Sequence, residues 1–362
     1  MNNRERFNAI MHYQPYDRMP VTHFYVWGEL LDEWEAQGHI KREEWRDRDV
    51  LTELAGFDMD FPGGWAMNME LMPEFEVKVL QEFPDGTRHV LNKDGVIVRE
   101  RPGHPTIPAE VEHTLVDRKS WEKDYRWRLE YSDARVAEEE YKYFPTPDRT
   151  RPVGLFVGSM IGFVRDWVGV VNLSYLLADD PSLVREIIDV SADMQYLATK
   201  RRLEICSDYD YAHFWEDICY KNGPLFSPKL LRDLIAKHYR RTTELLLSYG
   251  IDIVTLDCDG TETELIPLWL ENGVNTAFPI EIGSCGNDFP AWRKKFGKAL
   301  RGVGGVDKRV FAMDYEAVDA EIERLKPWIA EGGFLPCPDH LLPLGTKLEN
   351  LQYYTEKMRR LY

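Results

Sequence analysis

The chain has 362 residues, and its 62 acidic and 45 basic residues give a formal net charge of −17. Such acidity makes nucleic acid and anionic membranes poor partners. No uncharged run approaches the roughly 18 apolar residues of a membrane span. The five cysteines show no CxxC spacing, which favours free thiols over a disulfide framework. The amino terminus has no apolar signal segment, so we expect a cytoplasmic protein.

The first 150 residues contain two predicted strands and one predicted insertion. A short helix at 4–11 precedes strands at 20–25 and 57–61, with helical sequence between them. Three segments that alternate apolar and polar residues follow, separated by Pro-Asp-Gly and Lys-Asp-Gly turns. This pattern predicts a three-stranded antiparallel meander over 74–102, inserted in a βα loop near the rim of the sheet. Residues 117–143 predict a charged helix.

From about residue 150 onward, apolar strand patterns alternate with amphipathic helix patterns. Alternation without a hairpin signal predicts a parallel sheet. Together with the first two strands it predicts a distorted TIM (β/α)8 barrel, formed by a single domain over 1–362. A doubly wound open sheet is the alternative. The predicted strands of this part are 152–157, 209–215, 251–256, 274–280, 300–306 and 333–337.

Asp257, Cys285 and Cys337 each come shortly after the apolar run of one of these strands. In a parallel barrel such residues project from the carboxyl rim, where barrels of this kind hold their chemistry. One carboxylate and two thiolates predict a Zn²⁺ site with an open fourth position, which is the catalytic pattern. Three neighbouring residues remain open as replacement ligands: Cys258, Asp259 and Glu281.

Several short motifs resemble the uroporphyrinogen decarboxylase superfamily, and the resemblance covers essentially the whole chain. It implies a distorted TIM barrel. The superfamily contains the decarboxylases themselves and zinc-dependent methyltransferases that exchange methyl groups with a corrinoid protein. The motifs are Arg4-Glu5-Arg6-Phe7, Asp17-Arg18-Met19-Pro20-Val21, Gly302-Val303-Gly304-Gly305-Val306-Asp307 and Pro338-Asp339-His340-Leu341-Leu342-Pro343.

The resemblance favours the methyltransferase branch. The decarboxylases carry an arginine-rich segment after the first strand, whereas residues 22–29 here contain no arginine. A substrate with eight carboxylates needs such basic partners. In the methyltransferase branch, Asp257 falls at a family histidine ligand, Asp259 at a cysteine ligand and Cys337 at the distant cysteine. This pattern is similar to the O-demethylase methyltransferases.

The resemblance therefore implies transfer of a methyl group from a small methylated substrate, such as a methyl aryl ether, to a separate corrinoid protein. Zn²⁺ would act as a Lewis acid, and His340 or Glu216 would protonate the leaving atom. A decarboxylase and a non-catalytic tetrapyrrole- or partner-binding protein are the alternatives, and a homodimer is left open. The predicted pocket walls are His23, Trp27, Trp65, Met67 and Trp215.

Overall fold

The computed structural model describes residues 1–61, 67–103, 107–136 and 145–361. Its strands, numbered in chain order, are β1 Thr22–His23, β2 Met59–Asp60, β3 Lys78–Glu82, β4 Arg88–Leu91, β5 Val96–Glu100, β6 Ala109–His113, β7 Gly154–Phe156, β8 Tyr211–Trp215, β9 Cys219–Tyr220, β10 Gly223–Pro224, β11 Val254–Asp257, β12 Thr276–Ile280, β13 Arg301–Val306 and β14 Phe334–Pro338. The longer helices are Asn3–Met11, Gly28–Ala36, Arg48–Ala55, Gly162–Val168, Val170–Asp179, Pro181–Ile205, Pro228–Ser248, Ile266–Glu271, Phe289–Phe296, Tyr315–Glu331 and Leu348–Arg359.

A six-stranded parallel sheet forms the centre of the fold. Its strand order is β14-β13-β12-β11-β8-β7, and every neighbouring pair runs parallel. Helices connect successive strands of this sheet, as the alternating pattern predicts, so a mixed α/β fold with a parallel sheet is confirmed. Strands β1 and β2 form a separate parallel pair. Closure of all eight strands into one barrel stays a prediction.

Helix Pro228–Ser248 illustrates how the sequence sets these elements. Ser227 Oγ accepts a hydrogen bond from Leu230 N at 3.3 Å, which satisfies one of the free N–H groups at the helix start. Pro228 occupies the first turn, where its missing N–H costs nothing. Gly250 adopts a φ of +84° just beyond the helix, a conformation that glycine allows. One apolar face packs on the sheet through Leu231, Leu234, Ile235 and Tyr239.

The inserted segment is a four-stranded antiparallel sheet in the order β3-β4-β5-β6, one strand more than predicted. β6 pairs with β5, but its sequence gives little signal because all five residues are exposed or half-buried and only Val111 is strongly apolar. The turn between β4 and β5 contains Asp94 and Gly95. The sheet has its own small apolar cluster: Val90, Val96 and Val98.

The predicted charged helical stretch over 117–143 is confirmed in part for its described residues, because 118–129 is continuously helical, although its turns are irregular. One more turn follows at Asp133–Arg135. Between the two, the Arg135 side chain takes backbone carbonyls that a longer regular helix would use internally. Its guanidinium donates to Glu130 O at 3.0 Å and to Arg128 O, and Met72 N also donates to Arg128 O at 2.9 Å. Residues 137–144 lie outside the described part of the chain.

Across the described ranges, no helix combines the length and apolar character needed to cross a membrane.

Candidate active site

A cavity of about 450 Å³ lies at the carboxyl ends of the parallel strands. This end of a parallel α/β sheet is where ligands bind, and the volume suits a small molecule. Phe156 of β7, Trp215 of β8 and Asp257 of β11 contribute to its walls. The aromatic walls are Phe24, Tyr25, Phe156, Phe163, Trp167 and Trp215, and the charged walls are Arg48, Glu70, Asp94, Asp166 and Asp257.

The inserted sheet lies beside this cavity. A second cleft of about 520 Å³ runs between the sheet and the carboxyl end of β8. The cavity and the cleft share Asp94, Asp166 and Trp215, so they adjoin. Burial raises the pKa of Asp166 to about 6, partly offset by the neighbouring Arg165, and burial likewise raises the pKa of Asp94.

Asp257 presents a nearly buried carboxylate to the cavity. Only 8% of the residue is exposed. The nearest basic side chain is His213, whose Nε2 lies 3.9 Å from Asp257 Oδ2, beyond hydrogen-bond reach. Burial raises the pKa of Asp257 well above its usual range, and the charges of Asp217 and Asp259 raise it further. The carboxylate makes no hydrogen bond with any residue in the described ranges.

Burial favours the neutral form of the His213 imidazole, and its hydrogen bonds allow us to assign a tautomer. Thr255 Oγ1 donates to Ala212 O at 3.1 Å, so it accepts from His213 Nδ1, 2.7 Å away. Nε2 then has no proton and faces Asp257. Burial lowers the pKa of His213 to about 3. The site therefore gains no positive charge from this histidine at neutral pH.

Three carboxylates converge beside the cavity. Each of Asp217, Asp257 and Asp259 has an oxygen within 4.8 Å of the others, the one such group of potential metal ligands among the residues that the structure describes. Asp259 N donates to Asp217 Oδ1 at 2.9 Å. Burial, and next the charge of Asp259, raises the pKa of Asp217 to about 7. Oxygen donors of this kind suit hard divalent cations better than zinc.

The predicted zinc ligands are not brought together. Asp257, Cys285 and Cys337 do not form a group with ligand atoms within 4.8 Å of one another. Cys337 is fully buried, and burial raises the pKa of its thiol. Cys285 Sγ donates to Glu281 Oε2 at 3.3 Å, and burial raises its pKa to about 11.

The replacement ligands also have other partners. Glu281 accepts hydrogen bonds from Gly260 N and Ser284 Oγ, both at 2.7 Å. Cys258 is fully buried, and burial raises the pKa of its thiol well above the usual value. Asp259 is the one replacement ligand that joins the carboxylate group.

Glu216, a predicted proton donor, is fully buried and faces away from the cavity walls. Because successive strand side chains point to opposite faces, it lies on the helix side of β8, opposite His213 and Trp215. Its carboxylate accepts five hydrogen bonds, which anchors the loop after β7 and favours a positioning role. The donors are Ser159 Oγ (3.0 Å), Met160 N (2.7 Å), Ile161 N (2.9 Å), Gly162 N (2.8 Å) and Tyr239 OH (2.6 Å).

His340 and Trp27 lie together near the carboxylate group. Their rings stack with centroids 5.7 Å apart, and His340 Nε2 lies 3.1 Å from Asp259 Oδ2. The structure thus places the predicted histidine against one of the three clustered acids. This position agrees with a role in the site, and the role itself stays a prediction.

The remaining predicted wall residues have different positions. Trp215 lines the cavity. His23 is buried, with Nε2 2.9 Å from Thr52 Oγ1, and burial lowers its pKa to about 4. Met67 packs against the core and is not among the lining residues. Trp65 lies outside the described residues.

Sequence reasoning missed Asp217 and His213. The run His213-Phe214-Trp215-Glu216-Asp217 contains the signal, because alternation along a strand puts residues 213, 215 and 217 on one side. Glu216 was predicted as a site residue only because it follows the strand end, and its side chain lies on the opposite side of the strand from the cavity. Asp94 of the inserted sheet and Asp166 of helix Gly162–Val168 could not be predicted as site residues, because only the tertiary fold brings them to the cavity beside β8.

No protein-family model and no curated protein matches this sequence. The structure is similar to that of a methyltransferase from Methanosarcina mazei, with a TM-score of 0.62 and 15% identity over 99% of this chain and 98% of that one. A putative vitamin-B12 independent methionine synthase from Listeria monocytogenes gives a TM-score of 0.38 and 12% identity over 95% and 96% of the two chains. The first similarity shows a shared fold, and the second carries no argument.

Proposed function

We propose that this chain is a methyltransferase that passes a methyl group from a small methylated substrate to a corrinoid held by a separate protein. The observation that carries the proposal is the full-length fold match to a methyltransferase. The aromatic cavity at the carboxyl ends of the strands supports it, because rings and a small volume suit a small methylated molecule.

The proposal includes membership of the uroporphyrinogen decarboxylase superfamily and a closed (β/α)8 barrel. Contacts between the first and last strand regions support closure. Thr22 Oγ1 donates to Pro336 O at 2.8 Å, and Val26 forms a parallel bridge with Leu342. Trp27 N donates to Leu342 O at 3.0 Å. The contact that would complete the barrel is a seam between β2 and β7.

The walls of the cavity would bind and orient the substrate and exclude water. Trp215 and Phe163 provide flat apolar surfaces on which a methylated group packs. Fixing the methyl carbon toward the open side of the cavity lowers the entropic part of the barrier. Glu216 would act indirectly, by fixing the loop that precedes the helix carrying Phe163.

The thiolate ligand set predicted for Zn²⁺ does not fit this arrangement, since its members do not converge. We therefore derive no step through a metal, and the zinc requirement stays a prediction. The decarboxylase alternative has less support. The cavity walls carry four carboxylates and one guanidinium, whereas a polycarboxylate substrate requires basic partners.

The test is an anaerobic assay of methyl transfer to cob(I)alamin with a panel of methylated amines and ethers. Trp215→Ala should reduce the rate at least about tenfold because it removes a cavity wall. Trp127→Ala is the matched control, since Trp127 is 43% exposed and is not a wall residue. No transfer from any donor, or an equal loss in both variants, would contradict the proposal.

A further inference from the structure

We propose that the cavity binds an organic cation, and that the methyl donor is a quaternary ammonium compound whose N-methyl groups pack against the aromatic walls. This inference rests on the proposed methyltransferase function for the transfer step. The binding part stands on the charges, burial and ring contacts of the cavity itself.

The charges of the cavity walls are unbalanced. Glu70 pairs with Lys93 at 2.9 Å, and Asp166 pairs with Arg165 at 2.7 Å. Arg48, the one guanidinium in the wall, pairs with Asp60, which is not a wall residue. Asp257 therefore faces the cavity without a cation to balance it. An occupant with a positive charge would supply the missing partner.

Asp257 is more than an acidic neighbour in a cluster. It is nine-tenths buried and lines the cavity, and its carboxylate has no hydrogen-bond donor among the described residues. His213, the one basic side chain that the described residues place within 4 Å of this carboxylate, presents a nitrogen without a proton. Buried polar groups normally have partners, so an unpaired carboxylate that faces an open cavity indicates a ligand group at that position.

The rings provide the second half of the binding site. Six aromatic side chains line the same cavity, and aromatic faces attract cations, most strongly when water is excluded. The protein already uses two of these rings in this way. Arg48 lies 4.6 Å from the centroid of Tyr25, and Arg165 lies 5.4 Å from that of Trp215. A quaternary ammonium suits such walls because its charge is spread over apolar methyl groups.

The transfer step balances without a proton. The cobalt(I) centre of the acceptor supplies the electron pair of the new carbon–cobalt bond and is thereby oxidised to cobalt(III), and the carbon–nitrogen bond breaks. The electron pair of that bond remains on nitrogen, which leaves as a neutral tertiary amine. A methyl aryl ether would instead release an oxyanion that needs protonation or a Lewis acid. Methyl transfer from a quaternary ammonium compound therefore needs neither a proton donor nor a Lewis acid from the protein.

Calorimetric titration of the full chain with choline and with its uncharged carbon isostere, 3,3-dimethyl-1-butanol, tests the binding. Both fill the same volume, so a difference in affinity reports the charge. Choline should bind at least about tenfold more tightly than the isostere. Equal affinities, or tighter binding of the isostere or of anisole, would overturn the inference.

Asp257→Asn locates the effect. It should lower choline affinity at least about tenfold while changing isostere affinity by less than about threefold, because a cation beside Asp257 favours its ionised form and asparagine cannot ionise. Asp233→Asn, at an exposed acid paired with Lys229, is the matched control and should change neither. Loss of choline binding in both variants would contradict the assignment to the cavity.

The cob(I)alamin assay separates the two proposals. Methyl transfer from an ether without choline binding would contradict the proposed cation site and support the methyltransferase function. Choline binding without transfer from any donor would contradict the methyltransferase function and support the cation site.

Discussion

Two carboxylates that belong to neighbouring strands have opposite surroundings. Glu216 follows β8 on its helix side and accepts five hydrogen bonds. Asp257 ends β11 on the cavity side, and its carboxylate has no hydrogen bond to any described residue. Both are buried. A buried acid with all its partners in the protein fixes structure, whereas one that lacks them is available for a ligand.

Glu216→Gln should have the largest effect on stability. The substituted amide keeps one acceptor oxygen and directs an NH₂ group at donors that previously faced a carboxylate. We expect the free energy of unfolding to fall by about 3 kcal/mol, as for a broken buried hydrogen-bond network. Urea denaturation followed by circular dichroism measures this. Glu204→Gln, at a partly exposed acid, is the control and should change it by less than about 0.5 kcal/mol.

If Glu216→Gln keeps its unfolding free energy but loses activity, the contrast drawn between Glu216 and Asp257 is wrong. Glu216 would then be a catalytic acid rather than a positioning residue.

Asp257→Asn should leave stability intact, in contrast to Glu216→Gln. The substitution breaks no side-chain hydrogen bond to a described residue and removes a carboxyl whose ionisation burial already disfavours, so we expect the unfolding free energy to stay within about 1 kcal/mol or to rise. The same denaturation experiment compares both variants directly. A loss of about 3 kcal/mol or more would show that Asp257 has a structural partner after all.

These two residues also show what could be predicted from the sequence. The parallel sheet and its strand positions follow from the alternation of apolar runs and capped helices, which are local signals. The position of Asp257 at a strand end is equally local. The choice between Glu216 and Asp217 depends on which face of β8 meets a helix. The placement of Asp94 and Asp166 depends on how distant segments pack, which no local pattern encodes.

The affinity for choline should rise with pH between 5 and 7. The pKa of Asp166 is raised to about 6, mainly by burial, and its charged neighbours are Arg165, Glu110 and Asp94. Below that pKa the acid is neutral and attracts a cation less. Ionisation of Asp166 raises affinity about tenfold across this range, in proportion to the ionised fraction, and ionisation of Asp217, whose pKa is raised to about 7, adds to the rise toward pH 7. Titrations at several pH values measure this.

Asp166→Asn should flatten this pH dependence, and the uncharged isostere should show none in either protein. A steep dependence that persists in Asp166→Asn would assign the titration to other acids of the cavity.

The smallest expected effect concerns the cysteines. The predicted zinc site needs the thiols of Cys285 and Cys337. Cys285 donates a hydrogen bond to Glu281, and Cys337 is fully buried. We expect Cys285→Ala and Cys337→Ala to bind as much Zn²⁺ as the unsubstituted chain, measured by elemental analysis after loading under reducing conditions. Cys206→Ala controls for loss of any free thiol. Zinc lost in both site variants but retained in Cys206→Ala would restore the thiolate site. It would then require the segment after β12 and the end of β14 to rearrange on metal binding, because their thiols do not converge with Asp257 in this structure.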